Sequence, residues 1–255
     1  KQEFGYTMER IKSVIDRYLE RFSNVVVIGL AVPGPFQRTE GKIALMTEMN
    51  NWFDLPLVDE FVNAYSIPVI IEHDANAGAY AEWWFGAHST VQKGTLVYFL
   101  VGEGVGAGVL VNGSILYGSQ GVAGEVGHIS VDVSGEKCAC GNRGCLEMYL
   151  SSIAFVKHAT KLLPKHPDSV LNGYSNLTSD DIFSAAEAGD QFAIELVKRA
   201  GMYLGYGIVT IVNAYDPSIV VVGNSMAKGG QRILNAAKAV VKERILPAIY
   251  KDLKI

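Results

Sequence analysis

Three cysteines and a histidine crowd into one stretch, GEVGHISVDVSGEKCACGNRGCLE from Gly124 to Glu147, as His128, Cys138, Cys140 and Cys145, and the chain has no other cysteine. Four closely spaced nitrogen and sulfur donors suit a tetrahedral zinc ion, and Gly135, Gly141 and Gly144 give the loop the turns needed to wrap one. Three cysteines cannot all pair, so a Cys138–Cys145 disulfide would leave a thiol over, and no secretory signal precedes them. Three thiolates and an imidazole fill every tetrahedral position. The reading is therefore a structural zinc that fixes a loop, with no open position for an activated water.

A length of 255 residues, 49% of them hydrophobic and 19% charged, describes a folded chain with a sizeable core. Domains commonly run to about 100–150 residues, so two lobes are expected, divided near Ser89 into 1–89 and 90–255. Net charge −4 and pI 5.8 leave no cationic footprint for nucleic acid in these residues. No apolar run approaches the roughly 20 residues of a membrane helix. The default location is the cytoplasm, with no membrane partner.

Periodicity gives the order of elements. Ile11, Ile15 and Leu19 recur four apart, with Val14, Tyr18 and Phe22 on the same side, and predict an amphipathic helix over Met8–Phe22. Val25–Val32 reads as a buried strand ended by Pro33-Gly34-Pro35. A helix over Leu57–Tyr65, a strand over Val69–Glu72 and a helix over Ala75–Phe85 follow, so this part is a mainly parallel α/β sheet. From Thr95 a hairpin turns through Glu103 and Gly104, with a third short strand near Ile115. Beyond the cysteine-rich loop, helices are expected over Ser152–Leu163, Ser179–Ala188 (capped by Thr178 or Ser179) and Gln191–Asn213. A strand over Ile219–Val222 and a helix from Gln231 to about Ile245, stopped at Pro247, complete the pattern. Ligands of open α/β sheets sit at the carboxyl ends of strands, which points to a cleft between the lobes.

Asp74 falls at such a strand end. It has the chemistry of a general base for a hydroxyl, and equally that of a helix N-cap. Glu125 and Glu147 flank the cysteine-rich loop, where a clamped backbone would present them to sugar hydroxyls; solvated carboxylates are the plainer alternative. The run Gly102 to Gly108, with Gly104 and Gly106 at its centre, could bring backbone N–H groups to a phosphate or simply build a tight hairpin. Trp83, Trp84 and Phe85 read as core or interface rather than a stacking platform. His73 could line a pocket, while His88, His158 and His166 read as surface residues.

These motifs, taken together, resemble the ROK family of repressors, open reading frames and sugar kinases. The resemblance is carried by VIGLAVPGP (Val27 to Pro35), EHDANAGAYAE (Glu72 to Glu82), VGEGVGAGVLVNG (Val101 to Gly113), GEVGH (Gly124 to His128) and CACGNRGCLE (Cys138 to Glu147). It implies a two-lobed actin-like, ribonuclease-H-like α/β fold with a monosaccharide or sugar phosphate bound between lobes. By position, Asp74 would be the kinase base, Asn50, Asp74, Glu125, His128 and Glu147 sugar contacts, and His128, Cys138, Cys140 and Cys145 zinc ligands. It also implies a homodimer or homotetramer.

Several positions depart from the kinase pattern of that family. The opening hairpin with an Asp-x-Gly-x-Thr turn for ATP phosphates and magnesium is missing, and phosphoryl transfer depends on such positioning. His73 stands where kinases have Asn, Glu48-Met49-Asn50-Asn51-Trp52 replaces an Asn-Leu element, and Gly223 is followed by Asn224 and Ser225 in place of a second glycine. A closing segment is also missing after Ile255, as in a fragment trimmed at both ends. The expectation is the sugar-sensing, oligomerising region of a transcriptional repressor, with a DNA-binding winged helix-turn-helix upstream of Lys1. The alternative is an ATP-dependent sugar kinase, with Asp74 as base and ATP near Gly104 and Gly106.

Overall fold

The computed structural model describes residues 4–43, 57–86 and 93–255. Asn50, the whole Glu48–Trp52 element, His88 and the expected boundary at Ser89 lie outside them. The chain divides into two compact units, one of Lys1–Ala77 with Tyr117–Ala123, the other of Gly78–Leu116 with Gly124–Ile255.

In the first unit the amphipathic stripe forms helix α1 (Phe4–Arg21). Its Met8 is buried with Phe36, Ile43, Leu57 and Phe61, and Ile11 and Ile15 pack on that cluster. Strand β1 (Ile28–Val32) is shorter than the apolar run, because Val26 and Val27 remain exposed ahead of it. A small hairpin, β2 (Phe36–Gln37) and β3 (Lys42–Ile43), and helix α2 (Leu57–Val62) supply the other walls of the cluster. Strand β4 (Val69–His73) pairs parallel with β1 from Ile28↔Val69 to Val32↔His73. Helix α3 (Asp74–Phe85) starts where β4 ends, so Asp74 sits at the junction.

The second unit is built on a sheet in the order β7-β6-β5-β8. Strands β5 (Thr95–Val101) and β6 (Val105–Val111) form the glycine-rich hairpin, closed by β7 (Ser114–Ile115). After the cysteine-rich loop come α4 (Glu147–Leu150), α5 (Ser152–Leu162), α6 (Ser179–Glu187) and the long α7 (Gln191–Tyr215). Thr178 caps α6 in a reciprocal capping box with Asp181, satisfying two otherwise orphaned N–H groups. Asp190 caps α7, its carboxylate accepting from Ala193 N and Val170 N, and these bonds hold its pKa below the usual carboxylate value against the opposing effect of burial.

Strand β8 (Ile219–Gly223) pairs parallel with β5 and is followed by α8 (Gly230–Arg244) and α9 (Pro247–Tyr250). Pro247 opens α9 and does not itself stop α8, which ends when Ile245 turns extended. Phe99 of β5 and Leu204, Ile208 and Ile211 of α7 are wholly buried in one core. Each such side chain contributes about 1.5–3 kcal/mol. No helix among the described residues is long and apolar enough to cross a membrane.

Candidate metal centre and ligand-binding residues

The cysteine-rich loop folds back on itself through isolated bridges pairing Ser130 with Cys145 and Lys137 with Arg143. Val131 N donates to Gly144 O, Leu146 N to Ile129 O and Cys138 N to Asn142 O, which brings both ends of the loop to one place. The ligand atoms of His128, Cys138, Cys140 and Cys145 consequently all lie within 4.8 Å of one another. Cys138 Sγ is 3.8 Å from His128 Nδ1, and Cys140 Sγ is 3.6 Å from Cys145 Sγ.

A disulfide would need about 2.05 Å, so these are free thiols. A tetrahedral ion with bonds of about 2.3 Å to sulfur separates its ligands by about 3.8 Å, and the His128–Cys138 and Cys140–Cys145 pairs stand near that spacing, with all four donors within 4.8 Å. Burial, and then the Cys140 and Cys138 sulfurs, push the Cys145 thiol up to about 12. Burial also raises Cys138. Three adjacent sulfurs become thiolates only with a cation among them, so the donor set fits a zinc-type ion.

The flanking carboxylates gather on the start of β6. Glu147 opens α4, and its Oε2 accepts from Val105 N at 3.0 Å. Glu125, half-buried, precedes the single helical turn Val126–His128. That turn is held to β6 by Ala107 N donating to Gly124 O at 2.8 Å. Glu125, His128 and Glu147 all lie in this unit, on segments attached to β6.

Gly104 lies in the β5–β6 turn and Gly106 within β6, opposite Leu100. The turn is closed by the protein's own groups: Gly102 N donates to Gly104 O, Ser152 N to Gly102 O, and Val105 N to Glu147. The Asn224 side chain lies on Gly102, where an added Cβ would meet Nδ2 at 2.9 Å.

In the first unit Asp74 Oδ1 accepts from Ala75 N at 2.7 Å and faces His73 Nε2 at 3.2 Å. Burial raises the Asp74 pKa, opposed by His73 and by backbone hydrogen bonds, while burial lowers that of His73. The Asp74 side chain is 34% exposed, and the imidazole beside it is buried.

Sequence patterns did not single out the neighbouring group around Glu72. Its carboxylate accepts from His73 N, Asn76 Nδ2, Tyr117 Oη and Arg38. Arg38 and Tyr117 come from distant parts of the chain, so no local spacing announces them. Of the two expectations for the aromatic run, core does not hold for Trp84 and Phe85, which are exposed at the end of α3. His166 stacks on Phe192 at 3.9 Å, and His158 is half-buried with no hydrogen-bond partner for Nε2, so neither is a plain surface residue.

An α/β chain with this histidine and cysteine cluster has the fold of actin-like ROK sugar kinases and regulators. The ROK family model matches residues 2–252, and the chain belongs to that family. It is 36% identical over 232 residues to a glucokinase of Halalkalibacterium halodurans, covering 89% of this chain and 69% of the relative. To a xylose repressor of Bacillus subtilis it is 34% identical over 221 residues, covering 87% and 54%. The crystal structure of a ROK family transcriptional regulator, a homolog of the E. coli MLC protein, superposes with TM-score 0.85 at 29% identity, covering 98% of this chain and 62% of that one. A ROK family glucokinase from Streptomyces griseus, in complex with glucose and AMPPNP, shares the fold with TM-score 0.88 at 24% identity, covering 100% and 83%. The chain spans about half the length of the repressor it matches, and repressors and kinases both stand among its relatives.

Proposed function

We propose that this chain is the sugar-sensing and oligomerising region of a ROK transcriptional regulator, with a monosaccharide or sugar phosphate as effector. In this reading zinc sits on His128, Cys138, Cys140 and Cys145, where it supplies positive charge and a cross-link that holds the loop. Glu125 and Glu147 accept sugar hydroxyls, with Oε1 of Glu147 turned to the ligand because Oε2 is engaged by Val105 N. His128, Asp74 and Asn50 are further proposed contacts. DNA is contacted by residues outside 1–255, in keeping with the acidic charge of those given.

The observation that carries the reading is Asn224. Its backbone, at φ 72° and ψ −163°, occupies a region natural to glycine at a cost of about 1–3 kcal/mol. Its Oδ1 accepts from Ser225 N at 2.7 Å, and its side chain covers Gly102 of the β5–β6 turn. Backbone N–H groups of such turns must stay open to cradle a nucleotide phosphate. Here the Asn224 side chain lies against Gly102 and the Glu147 carboxylate accepts from Val105 N, which supports a turn closed to phosphate.

The 36% identity to a glucokinase favours a second reading, an ATP-dependent sugar kinase with Asp74 as base, and ATP and magnesium at the Gly104–Gly106 turn. Calorimetry separates the two. Titrating D-glucose, D-xylose and N-acetyl-D-glucosamine into the protein should give saturable heat for one sugar, weakened about tenfold or more in Glu147→Ala, the loss of a hydrogen bond to a charged group. Magnesium AMPPNP should give none. Tight nucleotide binding would move the assignment to the kinase.

A further inference from the structure

The loop that gathers the cysteines leaves them unequally open to solvent. Cys138 and Cys145 are 2% and 0% exposed, whereas Cys140 is half-buried between two exposed neighbours, Ala139 and Gly141. Gly141 N donates to Cys138 O at 3.0 Å and so places Cys140 on a tight turn. A Cβ added at Gly141 would meet nothing within 4 Å, so the space beside that turn is open to a small reagent. Cys138 faces His128, whose Nδ1 is 3.8 Å from its sulfur, while the sulfur of Cys140 lies 3.6 Å from that of Cys145. The donors thus divide into an accessible thiol backed by a buried thiol, and a buried thiol beside an imidazole.

We propose that Cys140 is a site of oxidation by hydroperoxides, that Cys145 is the thiol which resolves it to a disulfide, and that this reaction releases the metal. The inference rests on the zinc placed in the reading above and adds a modification to the same loop. As a member of the donor set Cys140 is a thiolate, the form that attacks peroxide, and it is the sulfur that solvent reaches first. Its sulfur attacks one oxygen of hydrogen peroxide; an S–O bond forms, the O–O bond breaks, and the departing hydroxide takes up a proton. The Cys145 thiolate then attacks the sulfenic sulfur, the S–O bond breaks, and a second hydroxide leaves and is protonated. Two thiolates, one peroxide and two protons have become one disulfide and two waters, with the sulfurs oxidised by two electrons and the peroxide reduced by two. Bond formation brings the two sulfurs from 3.6 Å to about 2.05 Å. His128 and Cys138 remain, and two donors do not hold an ion that takes four. The backbone bonds from Val131 N to Gly144 O and from Leu146 N to Ile129 O are then left to hold the loop.

Zinc-loaded, thiol-reduced protein provides the test. On treatment with hydrogen peroxide, a chromogenic chelator should register the loss of about one zinc per chain. Peptide mapping after alkylation of the unfolded protein should find Cys140 joined to Cys145, with Cys138 alkylated. A phosphine reductant and added zinc should return the metal to about one per chain. Cys140→His and Cys138→His each keep four donors of kinds that zinc accepts. At equal peroxide, Cys140→His should release zinc about tenfold more slowly than the unsubstituted protein, and Cys138→His should still form the Cys140–Cys145 disulfide.

A disulfide that contains Cys138 overturns the inference. So does Cys140 carried to the sulfinic acid with no disulfide formed, or a Cys140→His protein that loses zinc as fast as the unsubstituted one. The mapping and zinc measurements on unsubstituted protein decide the matter even where neither variant holds metal. Reduced protein that binds no zinc before peroxide is added removes the zinc reading and takes the inference with it. Zinc that is bound and then kept under peroxide, with all three thiols still alkylated, removes the inference alone.

Discussion

Gly144→Ala is expected to strip the protein of its metal. Gly144 has φ +62°, and a Cβ there would sit 1.6 Å from Asp132 O and 2.5 Å from Asp132 C. Both are backbone atoms, with no flexible tip to swing aside. The left-handed conformation costs a side chain about 1–2 kcal/mol before any clash, and relieving the clash must break the Val131 N to Gly144 O bond at 2.8 Å. Cys145 is the next residue, so its sulfur leaves the cluster. Metal analysis should fall from about one zinc per chain to a small fraction of that. A loss of about 3 kcal/mol would lower the melting temperature by about 6–12 °C. A full complement of zinc in Gly144→Ala would mean that the loop tolerates another path and that Gly144 does not set the cluster.

Gly124→Ala should weaken ligand binding and loosen the metal together. Gly124 has φ +100°, and a Cβ would lie 2.0 Å from Ala107 O, beside the 2.8 Å bond from Ala107 N to Gly124 O. The turn Val126–His128 must then move away from β6, carrying Glu125 and the proposed metal ligand His128 with it, while Cys138, Cys140 and Cys145 keep their own loop. Losing one charge-assisted hydroxyl contact lowers affinity by about tenfold to a hundredfold. Calorimetry and metal analysis on one sample should show weakened sugar and zinc that a chelator removes more readily than from the unsubstituted protein. Unchanged sugar affinity would place Glu125 away from the ligand.

What the sequence made legible follows the range of the forces involved. The Met8, Ile11 and Ile15 stripe, the apolar β4 and the long α7 were readable because each is a local pattern repeated over several turns or residues. Elements of two to four residues, such as β2, β3, α4 and α9, are too short to show a period. The cysteine cluster was readable for a different reason: His128 and the three cysteines combine a rare composition with one coordination chemistry, and the loop brings all four together. The Glu72 group was not readable, since Arg38 and Tyr117 meet it only through tertiary folding. Asn224 was visible as a departure from a glycine. That its side chain covers Gly102 became evident only with the strands β5 and β8 side by side.

We propose that this protein senses a sugar without phosphorylating it. A coupled assay of ADP release by the protein, with magnesium ATP and the sugar at a concentration that saturates it in calorimetry, separates sensing from transfer. Sensing without transfer predicts the same slow ADP release with and without sugar. Sugar-dependent ADP release that disappears in Asp74→Asn would contradict it.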